Sequence, residues 1–138
     1  VSLGPGSFTG VRIGLATARA LGFAWGAEVL GYPTLALIAA QALALRPGSA
    51  GVTVCTNGGH GEWFVADFTS EGLPLGETAS LTPEAARARP HAALVAGSRA
   101  ALLAEGTGAE VLELMPDAAE VGLLGPAVLT PALAPIYG

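Results

Sequence analysis

A chain of 138 residues, 51% of them apolar and 12% charged, has the material for one ordinary domain or two small lobes and is not globally disordered. Its net charge is −5, every cation is an arginine, and lysine is absent. Affinity for nucleic acid comes mostly from cations meeting phosphates, so the chain alone is expected to bind RNA poorly and to leave any RNA to a partner.

The opening, Val1 to Leu21, reads as the end of a strand, a glycine turn and a long apolar helix. Pro5 fixes φ between Gly4 and Gly6, and Ser7 is placed to cap the free amides of the first helical turn. Gly4, Gly6, Ser7, Thr9 and Gly10 thus form a phosphate-loop-like turn at a helix N-terminus. A Walker A loop is excluded, because Val11 and Arg12 follow Gly10 where a lysine and a hydroxyl are needed. A dinucleotide fingerprint fails on spacing, and Glu28 precedes the next strand instead of closing it. Anion binding and simple strand-to-helix packing both remain open readings of the turn.

Along the first helix Gly10, Gly14, Ala18, Gly22 and Gly26 recur every four residues as a shallow ridge, with Arg12 and Arg19 on roughly the opposite face. Glycine inside a helix costs about 0.5–1 kcal/mol relative to alanine, so close approach of another backbone is expected to offset it. The ridge, Gly14, Ala18 and Gly22 with Arg12 and Arg19 nearby, is either a partner interface or a seam against this chain's own sheet or second helix. Two arginines within the apolar run Val11–Trp25 would each cost roughly 2.5–3.5 kcal/mol near a bilayer centre, which argues for a buried helix and no membrane span.

Glu28 to Tyr32 reads as a short strand, and Thr34 as the cap of a second helix bearing Leu35, Ile38, Ala42 and Leu45 on one face. Arg46–Gly51 is a linker, which suggests lobes at residues 1–48 and 49–138. Val52–Thr56 and Glu62–Phe68 form a hairpin, and a third strand follows near Glu77–Leu81. Thr82-Pro83-Glu84 opens a helix with cap, proline and acid in place. Ala93–Ala96 is a short strand, Ser98 caps a helix ending at Gly106, and Val111–Leu114 is a further strand. Asp117 opens a last short helix, and prolines 126, 131 and 135 favour an extended tail.

No catalytic constellation emerges. His60 reads as a loop residue and His91 as a surface residue, with no partner at metal-ligand spacing. Glu62 and Asp67 point to opposite faces of one strand. Ser7 is explained as a cap, and Cys55, the lone cysteine, as a buried small hydrophobe that suits a reducing cytoplasm. No basic segment of a signal peptide is present in the first residues. No cofactor or metal is expected.

Gly4-Pro-Gly-Ser-Phe-Thr-Gly-Val-Arg-Ile-Gly14 resembles the signature of the TsaB (YeaZ) family, bacterial glycoprotease-like proteins of threonylcarbamoyladenosine modification of tRNA. The likeness continues at Val29–Leu35 and, more weakly, at Gly61-Glu62 and Ala134–Tyr137. It implies an α/β, ribonuclease-H-like two-lobe fold of the actin, Hsp70 and sugar-kinase type. The second lobe's order of strands and helices agrees. The first lobe holds only strand, helix, strand, helix, so it is expected to be truncated at its N-terminus, with residues upstream of Val1 and an incomplete sheet.

The resemblance further implies a cytoplasmic, non-catalytic accessory protein that contacts a TsaD-type catalytic subunit and a TsaE-type ATPase, with a homodimer as a further possibility. Direct tRNA binding by the chain alone is not expected. The rivals are a nucleotide-binding ATPase or kinase of the same superfold and a metallopeptidase, which lacks its ligands here. The family's Asp-Ala-Arg falls on Asn57-Gly58-Gly59, and its terminal Tyr-Leu-Arg on Tyr137-Gly138, so contacts made by those charges are in doubt.

Overall fold

The computed structural model describes residues 1–137, and Gly138 lies outside them. Five strands form one sheet: β1 (Gly51–Asn57), β2 (Trp63–Thr69), β3 (Ala79–Leu81), β4 (Leu94–Ala96) and β5 (Glu110–Leu112). Their order is β3-β2-β1-β4-β5, antiparallel through β3-β2-β1 and parallel from β1 to β4 to β5. That is the ribonuclease-H-like arrangement, and it carries the actin- and Hsp70-like fold.

The central strand is buried on both faces, and its alternation sorts the core into two layers. Val52 and Val54 join Ala66, Phe68, Leu94 and Ala96 beneath α2 (Thr34–Leu45). Cys55 joins Trp63, Val65 and Val95 on the other side, beneath α3 (Pro83–Ala88) and α4 (Ala100–Ala104). α2 is apolar over most of its circumference, and Leu35 and Ile38 are fully buried, each worth roughly 1.5–3 kcal/mol. The core on this face is therefore shared across the Arg46–Gly51 linker. Gln41, the polar exception in mid-helix, donates to the Met115 carbonyl (3.0 Å) and accepts from the Asp117 amide (2.9 Å), which ties the start of the C-terminal segment to the core.

Polar groups on the α3/α4 face form a network as well, although Arg89 Nη1 is buried without a hydrogen-bond partner. Thr53, fully buried, donates to Asp67 Oδ1 (2.6 Å) and accepts from the Ala92 amide (2.8 Å), while Asp67 pairs with Arg89. An unpaired hydroxyl here would cost about 1–3 kcal/mol, so the network holds β1, β2 and the segment after α3 in register.

Several expected boundaries shift. Thr34 is the first residue of α2 instead of its cap, because Pro33 takes the extended cap position and the Thr34 hydroxyl bonds to Ser2 Oγ (2.5 Å). Ser98 does not cap α4; its hydroxyl accepts from the Asn57 amide (3.2 Å), and Arg99 stands at the cap. The strand expected over Glu28–Tyr32 is reduced to isolated bridges, Ser2 with Tyr32 and Gly31 with Thr130. A strand exists only as far as its neighbours pair with it, and these partners are short. After Asp117 the chain forms 3-10 turns at Ala118–Leu123 and Pro126–Val128, then an extended tail.

Gly97 closes β4 with φ +119, and a Cβ there would lie 2.2 Å from the Cys55 carbonyl oxygen. Gly97→Ala should therefore cost roughly 2–5 kcal/mol through combined strain and overlap. Gly106→Ala is the control: φ is +77 but the Cβ position is open, so about 1–2 kcal/mol is expected. Urea unfolding of both variants checks this, and equal losses would contradict the close approach.

Candidate functional site: the cleft between the glycine turn and the β1–β2 loop

The helix α1 (Phe8–Trp25) starts from the glycine turn as the sequence predicts, with Ser7 Oγ accepting from the Gly10 amide at 3.2 Å. Gly4 sits at φ +92, and a Cβ would come within 2.7 Å of the Ile136 carbonyl oxygen, so the turn is closed from below by the C-terminal tail. Opposite the turn, Asn57–Glu62 joins β1 to β2, its Gly58 amide donating to the Glu62 carbonyl at 2.7 Å.

The two loops face each other across a cavity of about 550 Å³. Gly6, Ser7 and Phe8 form one wall and Asn57–His60 with Glu62 the other, and Phe64, Ser80 and Tyr137 also line it. Of the phosphate-loop-like residues, Gly6 and Ser7 reach the cavity; Gly4 is buried beneath it, and Thr9 and Gly10 lie outside its lining. Glu62 accepts from Ser80 Oγ (2.7 Å), and Asn57 Oδ1 accepts from Arg99 Nη2 (3.3 Å). Glu62 and Asp67 serve different places, the cleft and the Thr53 network, as their opposite faces require.

Sequence reasoning missed the role of the tail. Arg12 Nη2 donates to the Tyr137 hydroxyl (3.1 Å), and its guanidinium lies 4.1 Å from the Phe8 ring centroid. Phe8 in turn stacks on Tyr137 with centroids 5.8 Å apart. Arg19 Nη2 donates to the Leu133 carbonyl (2.8 Å), and the Ile136 amide to the Leu3 carbonyl (2.7 Å). Both arginines of α1 thus hold this chain's own C-terminal strap, more than a hundred residues away in sequence, a pairing no local pattern signals.

The small-residue ridge is placed as follows. Gly22 is buried, and a Cβ there would lie 2.5 Å from Val29 Cγ2, so at this point the ridge is a seam within the chain. Gly14 and Ala18 are half-buried at the edge of the same face, with Val1 near Gly14, and Gly26 ends the helix as a left-handed cap. The opposite face is bare: Ile13, Ala16, Ala20, Phe23 and Ala24 are all exposed, Ile13 by 61% and Phe23 by 93%.

A family model described as TsaD, tRNA N6-adenosine threonylcarbamoyltransferase, matches residues 1–114. The chain belongs to the TsaD family. Among solved structures this TsaD-family chain is similar to "YeaZ from Pseudomonas aeruginosa", with 27% identity and a TM-score of 0.79 over 99% of this chain and 72% of that one. A second is titled "Crystal structure of an uncharacterized protein with similarity to peptidase YEAZ from Pseudomonas aeruginosa", again 27% identical, with a TM-score of 0.78 over 99% and 70%. No curated protein matches. The TsaD-family chain is thus TsaB/YeaZ-like, with a role in threonylcarbamoyladenosine biosynthesis in tRNA.

Among the described residues of this family member, no group of three or more His, Cys, Asp or Glu side chains is placed to hold a metal ion, and no helix is long and apolar enough to cross a membrane. His60 is an exposed loop residue with φ +55. His91, expected at the surface, is half-buried and its Nδ1 lies 2.7 Å from the Ala92 carbonyl oxygen, because the segment after α3 folds back on β1.

Cys55 is fully buried in the α3/α4 layer. Burial pushes its thiol from the ordinary 9.0 up to about 12, only partly countered by Arg99 and Arg89. Below the ordinary value both folded and unfolded states keep the proton. Above it the unfolded chain releases the proton and the native state does not, so stability falls as pH rises from 9.0 toward about 12. Cys55→Ala should flatten that part of the fall; parallel slopes for wild type and variant in urea titrations across this range would contradict it.

Strap anchoring by exposed arginines is worth at most about 1 kcal/mol each in global stability. Replacing Arg12 and Arg19 together by glutamine should leave the unfolding midpoint nearly unchanged but speed exchange of the Ile136 amide. Unchanged exchange at Ile136 would show that the strap is held without them.

Proposed function

We propose that the chain is a non-catalytic accessory subunit of the complex that makes threonylcarbamoyladenosine in tRNA. It acts by contact with a TsaD-type catalytic subunit and a TsaE-type ATPase, with residues 1–48 belonging to one lobe and 49–138 to the other. The observation that carries this reading is the bare face of α1. Ile13, Ala16, Ala20, Phe23 and Ala24 present apolar and small side chains there, with the exposed Arg12 and Arg19 beside them held to the strap. A helix face of this kind is stable in water when another surface covers it. Gly14 and Ala18, half-buried on the ridge side of the same helix, are proposed as a further part of the contact.

The cleft supports the same reading from the chemical side. Its walls bring together two serines, an asparagine, one glutamate and one histidine, without, among the described residues, the paired acids or ligand cluster that phosphoryl transfer or metal-assisted hydrolysis needs. The acidic balance of −5 favours protein contact over direct tRNA contact, so the RNA is held by the partner.

Ile13→Glu tests this. The side chain is exposed, so the melting temperature should hold, while co-purification with the TsaD-type subunit and restoration of the modified nucleoside in cells lacking this protein should both fall at least about tenfold. Full binding by Ile13→Glu, or transferase activity of the isolated chain, would overturn the proposal. A shift from dimer to monomer without loss of partner binding would reassign the face to a second copy.

A further inference from the structure

The cleft has a charge pattern that contact through α1 does not use. Glu62 is half-buried, its carboxylate accepts one hydrogen bond, from Ser80, and no arginine lines the cavity. The ion pairs found among the described residues, Arg46–Glu110 and Arg89–Asp67, lie elsewhere. A carboxylate has about four lone-pair sites, so most of the acceptor capacity of Glu62 is left for a donor-rich group entering the cleft. Three aromatic rings, Phe8, Phe64 and Tyr137, stand on the same walls. Aromatic faces attract cations, and the Arg12 guanidinium already lies over Phe8 from outside the cavity lining. A phosphate would meet the Glu62 carboxylate on the wall, while Arg12 and Arg99 stand behind the lining, already engaged with Tyr137 and Asn57.

We infer that this cleft receives a guanidinium group, an arginine side chain presented by a partner polypeptide, with Glu62 as its counter-charge and the aromatic rings as its walls. Arginine fits better than lysine, because its planar fork pairs with a carboxylate in two parallel bonds and its faces stack on rings. The net charge of −5 also favours approach of a basic segment. Only the polypeptide source of the arginine rests on the accessory role proposed above; the chemistry of the pocket stands apart from it.

The experiment is an NMR titration of the full ¹⁵N-labelled chain with acetyl-Gly-Arg-Gly-amide, its neutral citrulline counterpart, its lysine counterpart, and adenosine. The arginine peptide should shift the amides of Gly6, Gly58 and Gly59 saturably. The citrulline peptide should bind at least about tenfold more weakly, and the lysine peptide more weakly than arginine. Glu62→Gln should weaken arginine binding about tenfold, and its side-chain carbonyl can still accept from Ser80, so the remaining spectrum should stay native. Phe8→Leu supplies a second variant, expected to weaken binding severalfold without removing the charge.

Equal affinity for the citrulline peptide, or unchanged binding by Glu62→Gln, would overturn the inference. So would saturation of these amides by adenosine and not by arginine, which would make the cleft a nucleobase site. Ile13 does not line the cavity, so Ile13→Glu should retain peptide binding. That arm separates failure of this inference from failure of the α1 contact.

Discussion

Burial of β1 on both faces is the constraint on which the rest of the molecule depends. Val52, Thr53, Val54 and Cys55 are almost wholly removed from water, so helices must cover both sides of the sheet: α2 on one, α3 and α4 on the other. A threonine in that position needs partners, and Asp67 and the Ala92 amide supply them. The same strand ends at Asn57, which delivers the loop to Glu62 to one end of the sheet, facing the glycine turn. The cleft follows from the placement of β1 more than from any residue within the cleft.

The second organising contact is the strap. A tail with little secondary structure of its own is held by backbone bonds at Gly31, Thr130 and Leu3, and by side chains of α1 at Tyr137 and Leu133. Those bonds hold the exposed guanidiniums of α1 against the tail, beside the apolar residues Ile13, Ala16, Ala20, Phe23 and Ala24. One arrangement thus closes the base of the glycine turn and leaves an apolar face open to solvent. This coupling links the interior of the cleft, where Tyr137 stands, to the helix surface proposed for partner contact.

The cleft sets a glycine turn against a wall of polar and acidic side chains. The glycine turn has the backbone form that often holds an anion, yet the side chains across from it are Asn57, His60 and Glu62. Backbone geometry and the Glu62 carboxylate pull toward different ligands. Membership of the TsaD family and likeness to YeaZ place the chain in tRNA threonylcarbamoyladenosine biosynthesis.

Much was legible in the sequence. The glycine turn with its Ser7 cap, the Thr82-Pro83 helix start and the alternation of Val52–Thr56 are local signals, and each appears where the pattern placed it. They are legible because capping, proline placement and period-two burial depend on residues a few positions apart. Long-range pairing decided the rest. The shrinkage of Glu28–Tyr32 to single bridges, the Ser98 hydroxyl spent on Asn57 and the anchoring of Arg12 and Arg19 to the tail all join distant segments. The ridge on α1 shows the division within one helix. Its four-residue spacing was visible in the chain, but only packing revealed that Gly22 lies under Val29 while the opposite face, from Ile13 to Ala24, stays open. A repeat determines which side chains share a face, and the three-dimensional neighbours decide which face is covered.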